Sequence, residues 1–431
     1  MLETIVARKP VAYYVKSIVG GSIGNLVEWY DWYSYAVFAL YFAGSFFPKD
    51  NETAQLLNTA GIFAIGFLMR PVGGWLMGAF ADRKGRKSAL TFSVLLMSTG
   101  SLLITIVPGY QTIGIAAPLI LVFARMMQGL SLGGEYGTAA TYLSEIAPPK
   151  LRGFYSSFQY VTSVLGQFIA LGILILLQRY FLSPKQLTDW GWRIPFAVGA
   201  LLSLSAIYLR RGLQETDSFK NEKTAITQRG TLTELLKYKG EVLTIVGFTM
   251  GFTLAYYTLT VYMQKFLVNT AGFSKNDSTL ITMIILFVFM CAQPVAGWLG
   301  DVYNRKKIMI IYGALATLTT VPIMMLVAHT HQFWVATGLV CIGVIILSLN
   351  TSISAIIKAE MFPASVRSLG VSFPYAFTVA LFGGTAEYIA LSFKNMGHAD
   401  YFYWYLTICL FISLVVSIRM TDTVKFSRME E

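Results

Sequence analysis

Twelve apolar stretches follow one another along this chain, each near the length of about twenty residues that carries a helix across a bilayer. They lie near residues 18–47, 56–81, 89–107, 113–144, 154–180, 192–210, 242–267, 278–300, 307–328, 332–358, 368–393 and 402–420. That pattern leaves little freedom. In hydrocarbon every backbone N–H and C=O must find a partner inside the protein, so separate spans of this length are helices. The expected fold is an all-α integral membrane protein with twelve transmembrane helices. At 55% hydrophobic and 13% charged residues, with a mean hydropathy of +0.60, a soluble chain could not cover its apolar surface.

A repeat then divides the chain. Glu145-Ile-Ala-Pro148-Pro-Lys-Leu-Arg152 and Glu360-Met-Phe-Pro363-Ala-Ser-Val-Arg367 share one spacing, offset by 215 positions. Asp82-Arg83-Lys84-Gly85-Arg86-Lys87 returns in thinner form as Asp301-Val-Tyr-Asn304-Arg305-Lys306, offset by 219. The one long polar interruption, residues 211–241, falls between the two copies. Two pseudo-symmetric six-helix bundles are expected, 1–210 and 242–431, joined by a linker at 211–241 with short amphipathic helix at most. Halves of this kind rock about a central site in secondary transporters.

The net charge of +11 does not point to nucleic acid, because the Lys and Arg sit in short loops between apolar runs. Twenty-three fall on one face and seven on the other, which predicts both termini in the cytoplasm. The three cysteines lie inside apolar runs and the three histidines in or beside loops, so no disulfide, metal or cofactor site is expected. Met1 to Ser17 is polar and mixed, and no cleavable signal is expected there.

Charges inside spans are costly, at least about 2.5–3.5 kcal/mol each at mid-bilayer, and mark candidate sites. Asn25, Glu28, Asp31 and Tyr35 share one helical face, with both acids about 18 Å from the helix end at 1.5 Å per residue. Two acids three residues apart repel when both are ionised, so one of them is suited to hold a proton. Arg70 stands at similar depth. Arg125, Gln128, Ser131, Glu135, Thr138 and Tyr142 make a polar stripe, and Gly129, Gly133 and Gly137 line a neighbouring face for close packing. Weaker stripes are Ser156, Gln159, Ser163, Gln167 and Thr249, Thr253, Tyr256, Thr260, Gln264. For the uncharged residues an interhelical hydrogen bond is the simpler role, and for the acids a structural ion pair is the alternative. Lys358 either snorkels to the interface or serves the site; Glu387 lies near the far end of its span, where hydration would suffice.

Several runs resemble the major facilitator superfamily. Gly78-Ala-Phe-Ala-Asp82-Arg83-Lys84-Gly85-Arg86-Lys87 looks like its loop signature, and Arg125-Met-Met-Gln128-Gly129 like its span-four motif. Gly24-Asn25-Leu-Val-Glu28-Trp29-Tyr30-Asp31, Arg70-Pro71-Val-Gly73-Gly74 and Lys358-Ala359-Glu360-Met361-Phe362-Pro363 are similar to its metabolite:proton symporter branch. In the second loop Asn304 replaces the expected glycine and Val302 a basic residue, which puts the symmetry of the two loops in doubt.

The resemblance implies a bacterial inner-membrane symporter, not an enzyme. It would work as a monomer in lipid without cofactor or nucleic acid, importing a dicarboxylate, α-ketoglutarate first, with protons. Citrate, shikimate, proline or betaine are the alternative substrates. A channel or nutrient sensor is a different class, with no ring-forming repeat or large soluble domain to support it. Moving each charge against the membrane field costs about 2.3 kcal/mol per 100 mV, so two protons per dianion would make the cycle neutral. On this reading Arg70, Arg125, Gln159, Tyr160, Gln167, Tyr256 and Lys358 bind substrate. Glu28, Asp31 and Glu135 couple protons, with Asp31 and Glu135 favoured as carriers and Glu28 as a partner that balances an arginine. Asp82, Arg86, Glu145 and Arg152, with Asp301, Arg305, Glu360 and Arg367, form latches that pair across the halves.

Overall fold

The computed structural model describes residues 10–48 and 52–429, and these contain helices and no strand. Arg8, Lys9 and Lys49, counted above among the loop charges, lie outside the described residues. Twelve long helices run in chain order: α1 Val11–Phe46, α2 Glu52–Lys84, α3 Arg86–Ile106, α4 Ala116–Ile146, α5 Arg152–Leu176, α6 Arg193–Arg211, α7 Lys239–Tyr257, α8 Lys275–Tyr303, α9 Arg305–His329, α10 Phe333–Glu360, α11 Arg367–Thr378 and α12 Ala399–Arg419. Eleven are long and apolar enough to cross a membrane. The twelfth, α1, has 36 residues and spans about 54 Å at 1.5 Å per residue; it falls outside that group because Asn25, Glu28 and Asp31 interrupt its apolar surface.

Three helices run further than their α-helical cores; α5 continues through a π-turn at Leu177–Phe181, and the other two lie at a cleft. A π-turn at Thr258–Tyr262 extends α7 into Met263–Asn269, and another at Val379–Gly383 leads α11 toward Ala386–Asn395. Widened turns of this kind gather at functional sites. Both border one cleft, lined by Trp32, Phe63, Phe67, Tyr257, Val261, Tyr262, Gly383, Gly384 and Glu387. The segment between α6 and α7 holds two single-turn helices, Asp217–Asn221 and Leu232–Leu236, N-capped by Thr216 and Thr231.

The halves meet chiefly through α2 against α11 and α5 against α8, pairs that a pseudo-two-fold axis exchanges. The glycine face of α4 serves packing both within its half, against α2, and across the halves, against α11. A Cβ on Gly133 would lie 2.1 Å from the Arg70 carbonyl oxygen of α2, and one on Gly137 would lie 2.0 Å from the Ser372 hydroxyl of α11. No larger residue fits there without moving a helix.

Candidate substrate site and charged gates

Arg70 and Arg125 come from different helices and converge on one indole. Each guanidinium carbon lies 4.2 Å from the centroid of the Trp32 ring, so the two are no more than twice that distance apart. Arg70 also lies over Phe67 at 4.0 Å, and Arg125 over Tyr35 at 4.2 Å. These faces stabilise a cation without neutralising it. Arg70 Nη1 donates to the Tyr257 hydroxyl (2.7 Å), and Arg125 Nη1 donates to Gln128 Oε1 (2.7 Å). In both side chains Nε and Nη2 are buried and have no hydrogen-bond partner among the described residues. Those two nitrogens form the lateral edge of the fork, the edge that grips a carboxylate bidentately. Both forks are therefore free.

Lys358 does not snorkel. It is 0% exposed and turns inward, donating to the Tyr136 hydroxyl (3.0 Å) across the halves and to Ser354 Oγ (2.8 Å). Its ammonium lies 4.4 Å from the Tyr375 ring centroid and 5.0 Å from that of Phe252. Tyr136 and Tyr375 stack at 3.5 Å, Tyr375 and Tyr160 hydroxyls approach to 3.4 Å, and Gln167 Nε2 donates to the Tyr256 hydroxyl at 2.6 Å. An aromatic layer thus runs from Lys358 toward Arg70, with Tyr256 edge-on to Trp29 and Tyr160. Gln159 stands apart, its Nε2 bound to the Tyr136 carbonyl.

The three acids occupy different settings. Glu135 pairs with Arg210, which binds both of its oxygens, and not with Arg125 on its own helix. Arg210 had been counted as a loop charge. It reaches inward from the end of α6 instead, fully buried, and also donates to the carbonyls of Gly20 and Leu90. Gly24 makes room for this pair, since a Cβ there would strike Glu135 Oε1 at 2.0 Å. Glu28 Oε1 meets Ser131 Oγ at 2.5 Å, while its Oε2 has no hydrogen-bond partner among the described residues. Asp31 Oδ2 meets Ser101 Oγ, and its Oδ1 occupies the space that a side chain at Gly199 would fill.

At the end of the molecule bearing the repeated motifs, both charged clusters are closed. Glu145 accepts from Arg367 Nη1 (2.7 Å) across the halves and from Arg86 Nη2 (3.1 Å); Arg86 also bridges to Asp82 at 3.4 Å. In the second cluster Arg305 bridges to Glu360 at 2.5 Å and Asp301 at 2.9 Å. Arg152 adds its charge beside Glu360. The loop aspartates do one thing more. Asp82 accepts the Ser368 and Leu369 amides at the start of α11, and Asp301 accepts the Gly153 and Phe154 amides at the start of α5. Each half therefore caps a helix of the other, at the end where the helix dipole favours an anion. At the glycine position the two loops agree: Asn304 takes a positive φ like Gly85 (79° and 102°) and uses its side chain to cap the Lys306 and Lys307 amides, while Val302 is an exposed side chain.

Known proteins match this architecture along its whole length. Residues 18–229 and 208–430 each match the sugar (and other) transporter family. The alpha-ketoglutarate permease of Escherichia coli (strain K12) is 50% identical over 404 residues, covering 94% of this chain and 93% of that protein. The chain belongs to the major facilitator superfamily. The citrate-proton symporter of Klebsiella pneumoniae is 33% identical over 87% of this chain and 84% of its own length, and the proline/betaine transporter of E. coli (strain K12) 29% over 95% and 83%. Among solved structures, the proton:xylose symporter XylE bound to 6-bromo-6-deoxy-D-glucose superposes with a TM-score of 0.81 at 17% identity, covering 97% of this chain and 98% of that one. FucP in the outward conformation gives 0.70 at 15%, covering 95% and 100%. The transporter is accordingly a multi-pass membrane protein of bacterial inner-membrane type.

Sequence reading missed Trp32, Tyr257, Tyr136, Tyr375 and Arg210 as members of the transporter's interior. Trp32 and Tyr257 had a signal, each abutting a residue already singled out, Asp31 and Tyr256. Arg210 had none, because an arginine at the end of a span reads as an interfacial anchor.

Proposed function

We propose that this transporter imports a dicarboxylate, α-ketoglutarate first among them, together with protons. One observation carries the reading: two buried guanidiniums on one indole with both lateral edges unpaired. A five-carbon dianion has carboxyl carbons about 5 Å apart when extended, from four bonds of about 1.5 Å, so it can reach both forks at their greatest possible separation. Lys358 supplies a third cation, and Gln167, Tyr160 and Tyr256 polar edges beside the path; Gln159 holds Tyr136 in place. The 50% identity to a permease named for alpha-ketoglutarate agrees with this substrate class.

Coupling falls to the acids of α1 beside the Glu135–Arg210 pair, and gating to the two charged clusters. The closed salt bridges of both clusters fit a state with the cytoplasmic gate shut. In this reading residues 1–210 and 242–431 are the moving halves, both termini are cytoplasmic, and the working unit is a monomer. The test is uptake of labelled α-ketoglutarate into proteoliposomes, with an imposed pH gradient and a competition panel of organic acids. Acid-outside conditions should drive accumulation, and dicarboxylates should compete where proline and betaine do not. Uptake indifferent to the gradient, or stronger competition by betaine, refutes the reading.

A further inference from the structure

We propose that Glu28 carries the coupled proton, with Ser131 as its positioning residue, and that Glu135 stays ionised as the counter-charge of Arg210. This rests on the proton-coupled reading above and reverses the roles expected from sequence.

The first argument is a hydrogen count. Ser131 Oγ lies 2.5 Å from Glu28 Oε1 and 2.7 Å from the Ser93 carbonyl oxygen. A hydroxyl has one hydrogen to give, and a carbonyl can only accept. If Glu28 were ionised, both neighbours would be acceptors and one close O···O contact would hold no hydrogen. With a proton on Glu28, the carboxyl donates to Ser131 Oγ, Ser131 donates to Ser93, and both contacts are satisfied. The unpartnered Oε2 is then a neutral carbonyl oxygen, whose burial costs far less than that of a bare carboxylate oxygen.

The second argument is the fate of the cations. Arg70, Arg210 and Glu135 are the charged groups acting on Glu28 from the helices around it, and Asp31 follows on its own helix. Arg210 makes two bonds to Glu135 and one each to the Gly20 and Leu90 carbonyls, which uses four of its five donors. Arg70 turns to Tyr257 and forms no ion pair with Glu28. Neither Glu28 nor Asp31 forms an ion pair among the described residues, and Glu28 stands in addition beside the negative charge of Glu135. Asp31 has the same serine arrangement, with Ser101 Oγ facing both its Oδ2 and the Met97 carbonyl oxygen (3.0 Å), but that serine also accepts a bond from Gln128 Nε2 (3.0 Å), and the charge acting on Asp31 is the cation Arg125 and not a second acid. On release, the Glu28 O–H bond breaks, the proton passes to water, and the Ser131 hydroxyl turns from Ser93 to the new carboxylate. No electron is transferred.

The test compares Glu28→Gln with wild type in proteoliposomes, reading counterflow and proton-driven accumulation side by side. A glutamine amide can donate to Ser131 as the protonated acid does, so counterflow should persist while accumulation falls to the equilibrium ratio. Infrared spectra of the wild-type protein give a second readout that no folding failure can obscure. A protonated-carboxyl C=O band should shift when glutamate is ¹³C-labelled and stay in place when aspartate is labelled; Ser131→Ala should move it and Ser131→Thr restore it. Accumulation by Glu28→Gln at wild-type level, or a band that follows aspartate or ignores Ser131, overturns the proposal. If wild type itself shows no proton-driven uptake, the functional reading fails instead.

Discussion

Replacing Arg125 by lysine separates charge from geometry. The guanidinium lies 4.2 Å from the Trp32 and Tyr35 centroids, and an ammonium on a shorter stem keeps the same attraction to those faces, so the helix bundle should assemble normally. The parallel pair of N–H groups at Nε and Nη2 is lost. If a substrate carboxylate takes both, the variant keeps about one charge-assisted hydrogen bond and loses the other, worth about 1.5–3 kcal/mol. At about 1.4 kcal/mol per tenfold, affinity should fall by about 10- to 150-fold. The bond from Nη1 to Gln128 is replaceable by lysine and should contribute little to this loss. The assay is half-saturation of α-ketoglutarate counterflow, which needs no proton gradient and so isolates binding, with the exposed Arg211→Lys as control. An Arg125→Lys variant that folds and binds within about threefold of wild type, a difference under about 0.7 kcal/mol, would refute a bidentate carboxylate at this edge.

Lys358→Met removes a buried ammonium held only by a phenol, a hydroxyl and ring faces. Its melting temperature should hold or rise, since a buried unpaired charge is costly, while dicarboxylate affinity drops; a lower melting temperature with unchanged affinity contradicts this. Asp82→Asn should weaken the cap on α11 by about 1 kcal/mol and favour opening at the charged end. Labelling of a cysteine placed behind the gate should then quicken, and an unchanged rate would show that the cap does not hold it. Gly199→Ala drives a methyl to within 2.1 Å of Asp31 Oδ1; uptake should collapse while the protein still reaches the membrane, and normal transport would mean that Asp31 need not stay where it lies.

The spans were legible because length and apolarity alone decide them, and even α1 could be placed once its acids were read as site residues. The arginine pair was legible for a related reason: a cation at mid-depth needs a purpose. What joins these residues was not. Nothing in the local sequence says that Arg70 and Arg125 share Trp32, since the helices that bring them there are set by packing along the glycine face of α4. The charged clusters divide in the same way. The repeat marks Asp82 and Asp301 as special, yet the amides they cap lie 286 and 148 positions away, a distance over which no local rule acts. Arg210 was the hardest. Its role depends on reaching back beneath Gly20 and Leu90 to Glu135, a direction that the rotamer and the neighbouring helices decide together.

Taken as a set, the buried charges also explain why a dianion and a proton should travel together. The two charged clusters each balance internally: Asp82 and Glu145 against Arg86 and Arg367, Asp301 and Glu360 against Arg305 and Arg152. That leaves Arg70, Arg125, Arg210 and Lys358 in the interior, facing Glu28, Asp31 and Glu135. With Lys358 and Asp31 charged and Glu28 neutral, four cations would face two anions, an excess of two positive charges that a dicarboxylate cancels. With Glu28 ionised the excess is one, and the loaded site would bury a net negative charge. Protonation of Glu28 therefore favours substrate, and bound substrate favours the proton by the same free energy, as linkage requires. A carrier whose loaded interior is neutral only with both aboard has little need of a separate device to forbid carrying one without the other.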